Sequence, residues 1–286
     1  MTNNYTYDNA PIAIGAIGGS GTRVIARIMS EMNVFMGSTI NEEFDNLFFT
    51  YFFKYRQLLK LGEDEMWMLL DLFVRANIGA ATALSVKEKE IFNGILMNQL
   101  HSYPDSELAT TLHSHISSAF ESNKPVPVRW GWKEPNTHFI IPALMRYIPQ
   151  TRYIHVVRNG LDMAYSKNQN QPRLWGADIL GQPYDSSPSF SLSYWCAVHR
   201  RILHCKEIYP DNILIVQFES LCASPIAEIA RILDFCRIPY EEETLEKLST
   251  LVSAPPTIGR HQSYQSDIFA PEDICFIQEK WASVLN

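Results

Sequence analysis

"PIAIGAIGGSGTRVIARIM", residues 11–29, passes from an apolar run through a cluster of glycines into a one-faced helical pattern. Residues 12–17 are continuously apolar, which is how a strand buried in a parallel sheet reads. From Thr22 to Met32 the side chains Val24, Ile25, Ile28, Met29 and Met32 recur at helical spacing and predict an amphipathic helix. Between the two lie Gly18, Gly19, Ser20, Gly21 and Thr22, a turn at a helix N-terminus. Free backbone N–H groups and the helix dipole make such a turn an anion site, and phosphate is the anion it suits.

Two nucleotide templates can be laid over the turn. The dinucleotide pattern GxGxxG, started at Gly19, needs a small residue where Val24 stands, although Glu42 and Glu43 lie about twenty residues on. The ATPase pattern GxxxxGK[ST], aligned on Gly21, puts Thr22 at the lysine position and Arg23 at the magnesium-ligand hydroxyl. A cation stands where a metal ligand belongs. The loop therefore reads as holding phosphate through backbone N–H groups and Arg23, with no metal.

Outward from this turn the chain alternates. Phe44, Leu47, Phe48, Tyr51, Phe52 and Tyr55 continue at helical spacing and read as core, and residues 62–122 carry helical patterns only. "PVRWGWK" (127–133) reads as a strand, "NTHFIIPALMRYI" as a helix, "TRYIHVVR" (151–158) as a strand and "NGLDMAYSKNQ" as a helix start. Residues 169–189, rich in Pro, Gly, Ser and amides, read as a long surface loop of the kind that acts as a lid. A helix through Trp195 and His199, the strand "NILIVQFES" and a helix over 225–236 complete the pattern. The expectation is α/β: a P-loop-type parallel sheet flanked by helices, with a helical insertion (about 43–122) after the first βα unit, in a single domain over 1–286.

Composition narrows the partners. At 46% hydrophobic and 19% charged residues the chain can bury a core, and its net charge of -7 argues against nucleic acid, which binds through Lys and Arg. Five cysteines without a CxxC pair suggest reduced thiols and neither zinc nor a disulfide framework. His113 and His115, at i,i+2, point apart on a helix and read as solvated surface. "MTNNYTYDNA" lacks the basic and apolar regions of a signal peptide, and no apolar run reaches the roughly 18 residues of a membrane span. These features read as a cytosolic protein without an integral membrane segment; they leave the oligomeric state open.

"GGSGTR" resembles the 5′-phosphosulfate loop of the sulfotransferases that use 3′-phosphoadenosine 5′-phosphosulfate (PAPS). "RYIHVVRNGLDMAYSKNQ" (152–169) resembles the second signature of that family, a strand-end Arg with a Ser eight residues later. "WGWKEPNTHFIIPAL" is similar to the Trp-Lys-x-Pro segment of the bacterial and carbohydrate branch, and "ILIVQFESLCASPIAEIARILDFCRIP" to its Tyr-Glu-x-Leu strand and helix. "TIGRHQS" (257–263) resembles the Gly-Arg loop that closes over the nucleotide. The five stretches stand in family order. The resemblance implies PAPS as cofactor, held by Gly18, Gly19, Ser20, Gly21, Thr22, Arg23 and Arg260, with Arg158 and Ser166 on its 3′-phosphate. It implies transfer of a sulfuryl group to a hydroxyl or amine of a small-molecule, lipid or saccharide acceptor.

One position departs from the family pattern. Gly19 replaces the usual Lys or Arg of the first loop, so the leaving oxygen needs a cation from elsewhere. Lys133, in "GWKEP", is the first candidate and Arg23 the second. The acceptor proton needs a base: Glu43, among the acidic residues after the first helix, or His138 in "PNTHF". Rival readings are a P-loop small-molecule or nucleotide kinase, disfavoured by Thr22 and Arg23, and a nucleotide-binding homologue without catalysis.

Overall fold

The structure, a computed structural model, describes residues 10–78, 83–102, 106–122, 127–264 and 267–281. Most of the N-terminal stretch read above for a targeting signal, residues 1–9, lies outside them. In chain order the elements are β1 (Ile12–Ala16), α1 (Thr22–Glu31), α2 (Leu47–Phe53), α3 (Glu63–Ile78), α4 (Val86–Ser102), α5 (Ser106–Glu121) and β2 (Gly131–Lys133). Then follow α6 (Ile141–Tyr147), β3 (Arg152–Val157), α7 (Gly160–Ala164), α8 (Asn170–Leu180) and α9 (Pro188–Ile208). The chain continues through β4 (Ile213–Gln217), α10 (Phe218–Ala223), α11 (Pro225–Cys236) and α12 (Glu242–Ser249).

The strands form one sheet in the order β2-β1-β3-β4. β1 pairs parallel with β2, Ile12 opposite Gly131 and Ile14 opposite Lys133. β3 pairs parallel with β4, Tyr153 opposite Ile213 and Val157 opposite Gln217. Every residue of β1, β2 and β3 is buried, and for β1 this explains the unbroken apolar run read in the sequence. The parallel sheet flanked by helices, with a helical insertion after the first βα unit, is the architecture expected above.

The chain divides into two compact units, one of Met29–Thr151 with the segment up to Ile14, the other of Gly15–Ile28 with Arg152 onward. In the first, α2 presents the apolar stripe. Asn46 caps it, its side-chain oxygen accepting from the Phe49 amide at 3.0 Å. Phe49 meets Phe73 edge-on at 5.7 Å, and Phe73 meets Trp132 at 5.1 Å. Phe48, Tyr51, Phe52 and Tyr55 are core, as read, whereas Leu47 is half-buried and Phe44 (φ 64), also half-buried, lies before the helix. His113 corrects the expectation of a solvated pair. Its ring stacks on Phe92 at 4.1 Å and its Nδ1 lies 2.7 Å from the Tyr51 hydroxyl; only His115 is exposed.

In the second unit the expected lid over 169–189 is largely a helix, α8, and only residues 181–187 form the connection to α9. Pro172 falls in the first turn, where its missing N–H costs nothing. Gly176 is required by packing, since a Cβ there would lie 2.5 Å from the Phe190 ring. Gly181, left-handed at φ 67, ends the helix. Proline and glycine marked the ends and the close contact of a helix; they did not mark a loop. Among the described residues no helix is long and apolar enough to cross a membrane.

Candidate active site

Unit two carries two strand-to-helix turns. The first follows β1. Gly19 and Gly21 adopt φ 96 and φ 93, a backbone that side chains resist, so the turn is built for glycine. A Cβ on Gly21 would strike the Phe218 ring at 2.2 Å. One on Gly19 would sit 3.6 Å from Met163 Cε and 3.7 Å from Ser166 Oγ. Gly18 faces the amide of Asn168, 3.2 Å from where its Cβ would stand. Ser20 and Thr22 are buried, whereas Arg23 is exposed on the first turn of α1.

The second turn follows β3 and is fastened from several sides. Asn159 caps α7, accepting from the amides of Leu161 at 2.9 Å and Asp162 at 3.2 Å. The Asn159 amide donates to Glu219 Oε1 at 2.9 Å, and Trp195 Nε1 donates to the Arg158 carbonyl at 3.1 Å. Gly160 admits no side chain because the Trp195 ring would lie 2.9 Å from it. This scaffold fixes Arg158, which is 5% exposed. Its guanidinium lies over Phe218 at 5.5 Å, donates through Nη2 to Thr257 Oγ1 at 2.8 Å, and reaches the Gly19 carbonyl only at 3.5 Å.

Arg158 Nε is buried and finds no hydrogen-bond partner among the described residues. Burial and then the neighbouring Arg260 guanidinium press its pKa below the usual arginine value, against opposing pulls from Asp162 and Glu219. Arg260 itself donates to the Thr257 carbonyl at 3.2 Å and the Tyr165 carbonyl at 3.3 Å. Asp162, four residues past Arg158, accepts from the amides of Gly259 (2.7 Å) and His261 (3.0 Å). The fold thus gathers Gly18, Gly19, Arg158 and Ser166, with Arg260 joined to Arg158 through Thr257. Thr257 and Asn168 belong to this cluster too; neither stands out in sequence, beyond the place of Thr257 two residues before Gly259.

Unit one carries a different cluster at the end of β2. Lys133 is buried, and its Nζ donates to Asp45 Oδ1 and to the Glu43 carbonyl at 2.9 Å. The Asn46 amide in turn donates to the Lys133 carbonyl at 2.8 Å, so the segment 43–46 is tied to β2 by main chain and side chain. Glu134, 1% exposed, accepts from both the backbone and side-chain nitrogens of Asn136, with Lys54 at 4.0 Å. Burial raises its carboxyl above the usual range despite Lys54. The Glu43 side chain is exposed, whereas His138 is buried in the turn over Pro135–Ile140, its ring 4.0 Å from Phe139. Among the described residues no group of three or more His, Cys, Asp or Glu is arranged to hold a metal ion.

A parallel sheet flanked by helices, with a glycine turn after β1 and a buried arginine after β3, makes this an α/β protein. The sulfotransferase family profile matches residues 11–242, and the chain belongs to that family. Solved structures similar to it include two sulfotransferase domains. The sulfotransferase domain of the Synechococcus PCC 7002 olefin synthase is 16% identical, covering 99% of this chain and 98% of that one, with a TM-score of 0.49. The sulfotransferase domain from the curacin biosynthetic pathway is 12% identical, covering 96% and 98%, also with a TM-score of 0.49. An uncharacterized protein of Aquifex aeolicus (strain VF5) is 28% identical over 119 residues, which span 41% of this chain and 15% of the Aquifex protein.

Proposed function

We propose that the protein is a PAPS-dependent sulfotransferase acting on a hydroxyl or amine of a small-molecule, lipid or saccharide acceptor. The observation that carries this reading is Arg158: a buried guanidinium, unsatisfied at Nε, pressed by a second arginine and set beside a positive-φ glycine turn. Such an arrangement favours an anion with more than one phosphate-like group. When bound, PAPS supplies a sulfuryl group on a phosphate leaving oxygen. The amides of Gly18–Thr22 and the side chain of Arg23 hold the 5′ side, and Arg158 and Ser166 hold the 3′-phosphate with Arg260.

For the transfer, Glu43 is the proposed base that takes the acceptor proton, and its solvent-exposed carboxylate suits that role better than the buried His138. Lys133 is the proposed cation for the leaving oxygen. Asp45 holds it in the structure, so delivering its charge requires that ion pair to yield. The test is thermal stability with 3′,5′-adenosine bisphosphate, 5′-AMP and ATP–Mg²⁺ in parallel. The bisphosphate at 100 times Kd should stabilise by about 2.7 kcal/mol without divalent metal. Equal stabilisation by 5′-AMP removes the 3′-phosphate reading, and stabilisation by ATP–Mg²⁺ alone points to a kinase.

A further inference from the structure

We infer that Asp162 is a positioning residue that latches the segment Thr257–His261 onto α7, and that this latch builds the Arg260 side of the anion site. The inference rests on the nucleotide reading above for its functional half only. Its structural half stands on the carboxylate itself. Asp162 is 1% exposed, yet it does not pair with the nearby Arg158. Its Oδ2 accepts from the Gly259 amide at 2.7 Å, while Oδ1 accepts from the His261 amide at 3.0 Å and lies 2.7 Å from His261 Nδ1. Burial alone would raise its carboxyl; these donors outweigh burial and hold it below the usual aspartate range.

The segment so held is the one that touches Arg158. Gly259, at φ 77, turns the chain so that amides two residues apart face the same carboxylate. Thr257 then presents its hydroxyl to Arg158 Nη2, and Arg260 folds back onto the carbonyls of Thr257 and Tyr165. A second fastening lies further along, where Tyr264 stacks on Tyr165 at 4.0 Å with the rings within 9° of parallel. Tyr165 and Asp162 both belong to the α7 region, on the same turn as Arg158 and Ser166. One short stretch, 158–166, therefore supplies an anion ligand and the anchor for the loop that carries another. That coupling predicts that the latch governs affinity for the nucleotide bearing a 3′-phosphate.

Asp162→Asn tests it. An amide has one acceptor and one donor, so it cannot accept from Gly259 and His261 on opposite oxygens. In the unliganded full chain, hydrogen exchange at the Gly259 and His261 amides should accelerate at least tenfold, with β3 amides unchanged. Affinity for 3′,5′-adenosine bisphosphate should fall about tenfold and that for 5′-AMP should hold. Unchanged exchange overturns the latch; faster exchange with unchanged bisphosphate affinity overturns its role in the site. If wild type itself fails to bind the bisphosphate, the nucleotide reading fails while the exchange result still decides the latch. Should Asp162→Asn not fold, His261→Ala removes only the ring contact. It should then quicken exchange at residue 261 and weaken the bisphosphate several-fold, and no change in either overturns the proposal.

Discussion

Two buried cations stand at the ends of parallel strands, and they are treated in opposite ways. Lys133, at the end of β2, meets a carboxylate and a carbonyl. Arg158, just past β3, meets a threonine hydroxyl, an aromatic face and a second arginine, and its Nε has no hydrogen bond among the described residues. Charge buried at a cost of several kcal/mol persists only when something answers it. For Lys133 the answer is within the chain, and it holds the segment 43–46. For Arg158 the answer among the described residues is incomplete, and in the reading proposed above an anionic ligand completes it. The difference separates a cation whose charge is already paired within the chain from one whose charge is only partly met.

The sharpest way to break this contrast is to remove Lys133. Lys133→Ala leaves Asp45 and the Glu43 carbonyl facing an emptied, largely buried position, and should destabilise the fold by about 3 kcal/mol. Urea unfolding gives the value, and adding Asp45→Ala should recover part of it. No loss of stability would mean that the ion pair organises nothing. Removal of Arg158 should do the reverse, sparing stability and striking affinity. Arg158→Ala should weaken 3′,5′-adenosine bisphosphate by about 2–3 kcal/mol, roughly 30- to 150-fold, with little effect on 5′-AMP. Equal losses for the two nucleotides, read by calorimetry, would make Arg158 a residue that shapes the turn and does not read the 3′-phosphate.

The strand at 12–16 was legible because a parallel strand covered on both faces leaves an apolar signal, those at 152–157 and 213–217 because short β-branched runs stand between helical patterns, and α11 began and ended where its proline and hydrophobic period placed it. What could not be read was what joins residues distant in sequence. Lys133 meets Asp45 across 88 positions and Asp162 meets Gly259 across 97, and no local period records either contact. α8 was missed for a different reason. Pro172, Gly176 and Gly181 have separate local causes (first turn, ring contact, C-terminal cap), and as a bare composition they look like a loop.

A buried neutral base gives a third contrast, with both cations. His199 is wholly buried between Trp195 and His155, and burial lowers its pKa to about 3. Its folded pKa lies below the unfolded value of about 6.5, so below that pH the unfolded chain binds a proton that the folded chain refuses. Stability is fully present above pH 6.5 and falls as the pH drops toward 3, by up to about 1.4 kcal/mol per pH unit. His199→Gln should flatten that slope in denaturant titrations between pH 4 and 6. An unchanged slope would place the titration on another group.

The finest cut compares two glycines that share a left-handed backbone. Gly19 has φ 96, and a Cβ there would meet only ordinary contacts at 3.6 Å or more; Gly181 has φ 67, and a Cβ would meet nothing within 4 Å. Neither substitution clashes, so alanine at either position should cost only the strain of a left-handed L-residue, about 1–2 kcal/mol. Thermal unfolding should therefore rank Gly19→Ala and Gly181→Ala close together. Function should not. Gly181 ends α8, whereas Gly19 lies in the proposed phosphate turn beside Ser166. A methyl group there would stand 3.7 Å from Ser166 Oγ, on the side proposed for the anion, so Gly19→Ala alone should weaken 3′,5′-adenosine bisphosphate, by about fivefold if one hydrogen bond of ~1 kcal/mol is lost. If both variants bind the nucleotide as tightly as wild type, the glycines of the turn after β1 serve only the shape of the chain, and Arg158 must hold the ligand without them.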